Sequence, residues 1–178
     1  QLATDADIVH RDLKPGNIFL AHSGEDKIVK VLDFGIAKAF GGQKVGKDTT
    51  TGTLLGSPAY MSPEQIRADK TLDYRSDLWS VSCILFEMVL GRRPFPGREV
   101  GVIMLGICSD PLPTPSAIDS TLPPEIDSFF ARAMARDRTK RFQSARKLAI
   151  TFAKVVAEYL DKPELMTWRS QELKITAL

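Results

Sequence analysis

The apolar positions change rhythm along the chain. Near the start they come in short stretches. Asn17 to Ala21 is a brief apolar run, His22 to Asp26 around Gly24 reads as a turn, and Lys27 to Phe34 alternates like a returning strand. Residues 38–57 are rich in Gly, Lys and Thr and have no apolar period, which predicts an exposed, mobile loop. From Ser76 to Leu90 the pattern becomes apolar on nearly every side, as in a helix buried all round. Ser76 or Asp77 would cap its N-terminus and Gly91 would end it. A shorter helix is predicted over 98–108, followed by an irregular, proline-rich stretch over 110–123. Pro124 then opens a helix with Ile126, Phe129, Phe130, Ala133 and Met134 in one stripe. Leu148, Phe152, Val155 and Tyr159 form a similar stripe on the last clear helix. Strands first and helices after predict an α+β fold, mostly α, with a small β-hairpin at one edge. Residues 1–160 form the domain, and 161–178 are an unassigned C-terminal extension.

Composition narrows the reading only by exclusion. The 178 residues are 43% hydrophobic and 26% charged, as expected of a globular domain with a sizeable core. A formal charge of +2 gives no reason to expect a nucleic-acid partner. No apolar run is long enough for a membrane span, and no signal-peptide pattern opens the chain. Cys83 and Cys108 have no metal-binding spacing, and Cys83 reads as a small buried hydrophobe. The cytoplasm is the default compartment, although an anchor elsewhere in a parent protein is compatible with this.

The chemistry is concentrated in three motifs. His10-Arg11-Asp12-Leu13-Lys14-Pro15-Gly16-Asn17 comes first, and Asp33-Phe34-Gly35 follows the strand–turn–strand. Gly56-Ser57-Pro58-Ala59-Tyr60-Met61-Ser62-Pro63-Glu64-Gln65 comes third. In this order and spacing they resemble the catalytic loop, the metal-binding triplet and the end of the activation segment of eukaryotic-type (Hanks-type) serine/threonine protein kinases. The form of the third motif is most like bacterial members. The likeness runs from Ile8 to about Tyr159 and corresponds to the C-terminal lobe of the kinase-like fold.

The resemblance implies roles residue by residue. Phosphoryl transfer needs positioning and charge compensation more than covalent chemistry. Asp12 would orient the substrate hydroxyl and accept its proton late in the step. Lys14 would stand near the transferring phosphate and help bind ATP. Asn17 and Asp33 supply hard oxygen ligands suited to Mg²⁺, with Mn²⁺ a possible substitute, between the ATP phosphates. Phe19 would pack beneath the adenine, and the Ser57 hydroxyl would bridge Asp12 and Lys14 where the substrate docks. His10 and Phe34 are structural, packing under the loop. Glu64 and Arg141 are the expected buried ion pair, and Asp77 the expected anchor of the catalytic-loop backbone. Arg11, beside Asp12, calls for a counter-charge, which a phosphate on the activation loop commonly supplies. Thr49, Thr50, Thr51 and Thr53 are the candidate phosphosites, with Lys38 and Lys44 as possible helpers. The implied partner is a protein bearing Ser or Thr.

The chain also departs from the family pattern. Ser82 stands where a Gly is usual in the buried helix, so its hydroxymethyl must find room and a partner. Asp7 replaces a frequent Gly ahead of Ile8-Val9-His10. No Gly-rich loop or ATP-gripping Lys and Glu precede the catalytic loop within this sequence, and the first residue is Gln1. The expected partner in cis is therefore an N-terminal lobe outside these residues, and the fragment alone is expected to be inactive. A second reading is a non-catalytic docking module derived from a kinase lobe.

Overall fold

A computed structural model describes residues 9–23, 26–33 and 58–160. Two antiparallel strands come first: β1 (Ile18–Ser23) and β2 (Asp26–Val31), paired in a register that sets Ile18 opposite Val31 and Leu20 opposite Val29. Short 3₁₀ turns at Pro15–Asn17 and Pro58–Tyr60 precede the strands and the helices respectively. The helices are α1 (Pro63–Ile66), α2 (Arg75–Leu90), α3 (Val100–Ser109), α4 (Pro115–Ile118), α5 (Glu125–Ala133) and α6 (Ala145–Leu160). The mostly helical domain with a two-stranded sheet is the architecture expected from the element pattern.

Helix α2 is the axle. Leu78, Trp79, Cys83, Ile84 and Phe86 are all buried on it, together with Ser76, Ser80 and Ser82. Each of these three serine hydroxyls has an acceptor, as a buried polar group requires. Ser80 donates to the Tyr60 carbonyl at 2.7 Å, and Ser82 donates back one turn to the Leu78 carbonyl at 2.6 Å. The hydroxymethyl at position 82 has thus found a partner within its own helix. Gly91 ends α2 at φ 67°, a left-handed conformation that glycine adopts without Cβ strain, and its N–H returns to the Glu87 carbonyl. Burial pushes the Cys83 thiol pKa up, so this cysteine behaves as packing material.

Aromatic rings join α2 to the C-terminal helices. Phe86 meets Phe130 of α5 edge-on at 5.2 Å, and Phe129 reaches Phe152 of α6 at 5.3 Å. Ile126, Phe129, Phe130, Ala133 and Met134 are all buried, so the predicted stripe faces the core. On α6, Leu148 and Tyr159 are buried, while Phe152 and Val155 are partly buried against the core. The hairpin differs: Phe19, Leu20, Ile28 and Val29 are each between 45% and 62% exposed, so its strands stand at the margin of the helical core.

Several boundaries differ from expectation for local reasons. Helix α2 begins at Arg75 and is capped by neither Ser76 nor Asp77. Asp73 accepts from the Arg75 N–H at 2.9 Å instead, while Ser76 and Asp77 turn to partners distant in sequence. Strand β2 stops at Val31, short of the predicted Phe34, because Asp33 takes a left-handed φ of 55° that breaks the extended run. Asn17 lies in the 3₁₀ turn rather than in β1. The proline-rich stretch contains the single-turn helix α4, where Asp127 accepts hydrogen bonds from both the Ser116 N–H and its hydroxyl. Phe34, Ser57, Thr49, Thr50, Thr51, Thr53, Lys38 and Lys44, and residues 161–178, lie outside the described residues.

Candidate active site

The segment from His10 to Asn17 forms a compact polar cluster tied to the end of the hairpin and to α2. Lys14 follows Asp12 by two residues and places its Nζ 3.1 Å from Asp12 Oδ2. Pro15 opens the 3₁₀ turn with its preset φ, bringing Asn17 back towards Asp12. Buried Asn17 donates through Nδ2 to the Asp12 carbonyl at 2.9 Å, and more weakly to Asp12 Oδ2 at 3.4 Å. The Asp12 carboxylate therefore sits against a lysine ammonium and an amide donor.

The backbone carrying Asp12 is held from below. Asp77, in the first turn of α2, accepts from the His10 N–H at 2.7 Å and the Arg11 N–H at 2.9 Å. Burial raises the Asp77 carboxyl pKa, and the two N–H donors only partly offset that. His10 is buried, with Nε2 3.0 Å from the Leu32 carbonyl and Nδ1 3.3 Å from the Asp12 N–H. A carbonyl can only accept and an N–H can only donate, so these contacts place the imidazole proton on Nε2. His10 thereby ties the loop to the end of β2.

The backbone sets Asn17 beside the end of β2. The Leu32 N–H donates to the Asn17 carbonyl at 2.9 Å, which brings the residue before Asp33 against Asn17. With the Asn17 amide nitrogen committed to Asp12, its oxygen is the donor atom left for a cation. An amide oxygen and a carboxylate are the hard donors that Mg²⁺ prefers. Among the described residues, no group of three or more His, Cys, Asp or Glu is arranged to hold a metal by itself. The donor set fits an ion that takes its remaining oxygens from phosphates and water, as Mg²⁺ does in nucleotide sites. Phe19 lies on β1 and is 50% exposed, available to an apolar face.

The remaining site residues lock the frame. Arg141 makes a bidentate pair with Glu64 (Nη1 to Oε1 2.6 Å, Nη2 to Oε2 2.7 Å). Ser76 donates to the same carboxylate at 2.9 Å. Arg141 also donates to the carbonyls of Ala135, Arg75 and Arg136.

Sequence reasoning passed over two further contacts. Tyr60 donates to Glu87 Oε2 at 2.5 Å. Burial first, and then the Glu87 hydrogen bond and charge, push its phenol pKa up to about 12. Gln65 reaches the segment from His10 to Asn17, donating to the Arg11 carbonyl at 2.9 Å. The Ser62-to-Gln65 spacing is legible as a helix-capping pattern, but nothing in it announces the second bond. An open recess lined by Gln143, Ser144, Arg146, Lys147 and Ile150 includes none of the motif residues. No helix among the described residues is long and apolar enough to cross a membrane.

Comparison with known proteins agrees with the motif order. A family model described as "Protein kinase domain" matches residues 4–153. The chain is 44% identical over 138 residues to the probable serine/threonine-protein kinase PknB of Bifidobacterium longum, covering 78% of this chain and 19% of that protein. It is 37% identical over 164 residues to the serine/threonine-protein kinase PknB of Mycolicibacterium smegmatis, covering 90% of this chain and 25% of that one. With the serine/threonine-protein kinase PknL of Mycobacterium tuberculosis, identity is 36% over 159 residues, covering 89% and 38%. The chain thus spans between about a fifth and two fifths of the length of these curated relatives.

Proposed function

This chain belongs to the protein kinase domain family, of the bacterial-like serine/threonine type, and on that premise we propose that it carries the catalytic-loop half of an enzyme that moves the γ-phosphate of ATP onto Ser or Thr hydroxyls of a protein. The Asp12–Lys14–Asn17 cluster, on a backbone anchored by Asp77, is the observation that supports this best. The Asp12 carboxylate orients the attacking hydroxyl and takes its proton late in the step. Lys14 offsets negative charge near the transferring phosphoryl group. Asn17, through its oxygen, and Asp33 would hold Mg²⁺, which when bound neutralises charge on the phosphates. Ser57 would complete the docking of the hydroxyl, and phosphate on one of Thr49, Thr50, Thr51 or Thr53 would balance Arg11.

ATP in this family is clamped between two lobes, and the motifs here belong to one of them. Transfer therefore depends on an ATP-gripping element supplied from outside these 178 residues. The test compares two proteins: the chain alone, and the chain joined to the coding region upstream of Gln1. With γ-labelled ATP and a mixture of Ser- and Thr-containing proteins, label is expected on Ser or Thr only with the longer protein. Calorimetric titration of the short chain is expected to show very weak or no Mg²⁺–ATP binding. No transfer by the longer protein would overturn the enzymatic reading in favour of a docking module. Micromolar ATP affinity of the short chain would overturn the proposed dependence.

A further inference from the structure

We infer that Gln65 is a positioning residue for the catalytic loop, its side-chain amide gripping the peptide plane that joins Arg11 to Asp12. The catalytic part of this inference rests on the reading of Asp12 as the proton acceptor; the grip itself does not.

The amide of Gln65 works in two directions. Its Oε1 accepts from the Ser62 N–H at 3.0 Å, and the Gln65 N–H donates to Ser62 Oγ at 3.3 Å, a reciprocal capping box at the start of α1. Its Nε2 donates to the Arg11 carbonyl at 2.9 Å, across 54 positions of sequence. The orientation is unambiguous. Flipping the amide would set NH₂ against the Ser62 N–H and oxygen against the Arg11 oxygen, losing both bonds.

Arg11 is where such a grip matters. It has φ 65°, the left-handed region that a side chain with a Cβ adopts only under constraint. Both sides of the residue are held: Asp77 takes its N–H from α2, and Gln65 holds its C=O from α1. The Arg11 carbonyl and the Asp12 N–H share one planar peptide unit, so fixing the oxygen also orients the N–H that meets His10 Nδ1. Asp12 Cα is the next atom along. Gln65 follows closely on the Pro58–Tyr60 turn in sequence. It therefore ties the loop bearing the acceptor to the segment that ends the activation region.

A capping role alone would be served equally by glutamate, which accepts from the Ser62 N–H but cannot donate to Arg11. Gln65→Glu therefore removes the grip and keeps the box, whereas Gln65→Ala removes both. In the 178-residue chain, Gln65→Glu is expected to shift the Asp12 amide resonance and to speed its hydrogen exchange. The amide at position 65 should stay protected. In the longer protein that includes the upstream coding region, both variants are expected to lower kcat about ten- to a hundred-fold, the range for a small misplacement of a reacting group. KM for the protein substrate should change less than about two-fold, and only Gln65→Ala should also lower the melting temperature appreciably. An unchanged Asp12 amide in Gln65→Glu, or activity that tracks stability so that Gln65→Glu behaves like wild type, overturns the inference. If the longer wild-type protein transfers no phosphate, the functional reading fails on its own, and the amide measurements still decide whether Gln65 holds the loop.

Discussion

Replacing Arg141 by methionine is expected to lower the free energy of unfolding by about 3–5 kcal/mol at neutral pH, the usual cost of stranding one half of a buried pair. The Arg141 side chain is 0% exposed and that of Glu64 7%, so water cannot take over the lost contacts. The variant leaves the Glu64 carboxylate with the Ser76 hydroxyl, and it strips the carbonyls of Ala135, Arg75 and Arg136 of a guanidinium donor. The pH dependence should change sign. In the wild type, burial raises the Glu64 pKa, but the hydrogen bonds and charge of Arg141, helped by Ser76, outweigh it and hold the carboxyl below its ordinary value of 4.5. That contribution is complete above about 4.5 and is lost as pH falls through the depressed folded value. With Arg141 gone, burial dominates and raises the Glu64 pKa, so the variant loses stability as pH rises. Urea unfolding from pH 7 to pH 4 should show the two proteins converging at the acid end. A difference that stays constant across this range would mean that the ion pair is not what Arg141 contributes.

The second large effect is on chemistry. In the protein that includes the upstream coding region, Asp12→Asn is expected to reduce kcat by about 10²–10⁴-fold, the contribution of a positioned proton acceptor. The fold should be retained, because Asn17 is held mainly by the Asp12 backbone carbonyl and Asp77 grips backbone N–H groups, none of which the substitution alters. Steady-state transfer together with thermal unfolding separates the two effects. Turnover within a few-fold of wild type would remove Asp12 from the role proposed for it.

Much of this was readable before any coordinates. The run from Ser76 to Leu90 is apolar on nearly every side and reads as a buried helix; most of it is buried, but Met88 near its end is 68% exposed, so one face of the last turn meets solvent. The stripe from Ile126 to Met134 has a helical period and lies wholly in the core. The motif order pointed to the kinase family because so many specified residue types in sequence rarely arise by chance. What failed was local. Ser76 and Asp77 are good N-caps by type, yet neither caps α2. Their side chains are taken by Glu64 and by the loop at His10 and Arg11; the N-cap position falls on Tyr74, which makes no side-chain cap, and Asp73 accepts from the Arg75 N–H beside it. Propensity ranks what a residue can do alone, and a stronger distant partner overrides it.

The sequence by itself determined the family, the mostly helical class and which side chains bring charge and oxygen ligands to the chain. Periodicity and motif spacing record those properties directly. Only the tertiary structure decided how they are held: the Glu64–Arg141 geometry, the double grip on left-handed Arg11, and the bond from Gln65 to the catalytic loop. These depend on which groups come within about 3 Å of each other across separations of 54 to 77 positions. A hydrogen bond is set by that distance and by direction, neither of which one-dimensional spacing encodes.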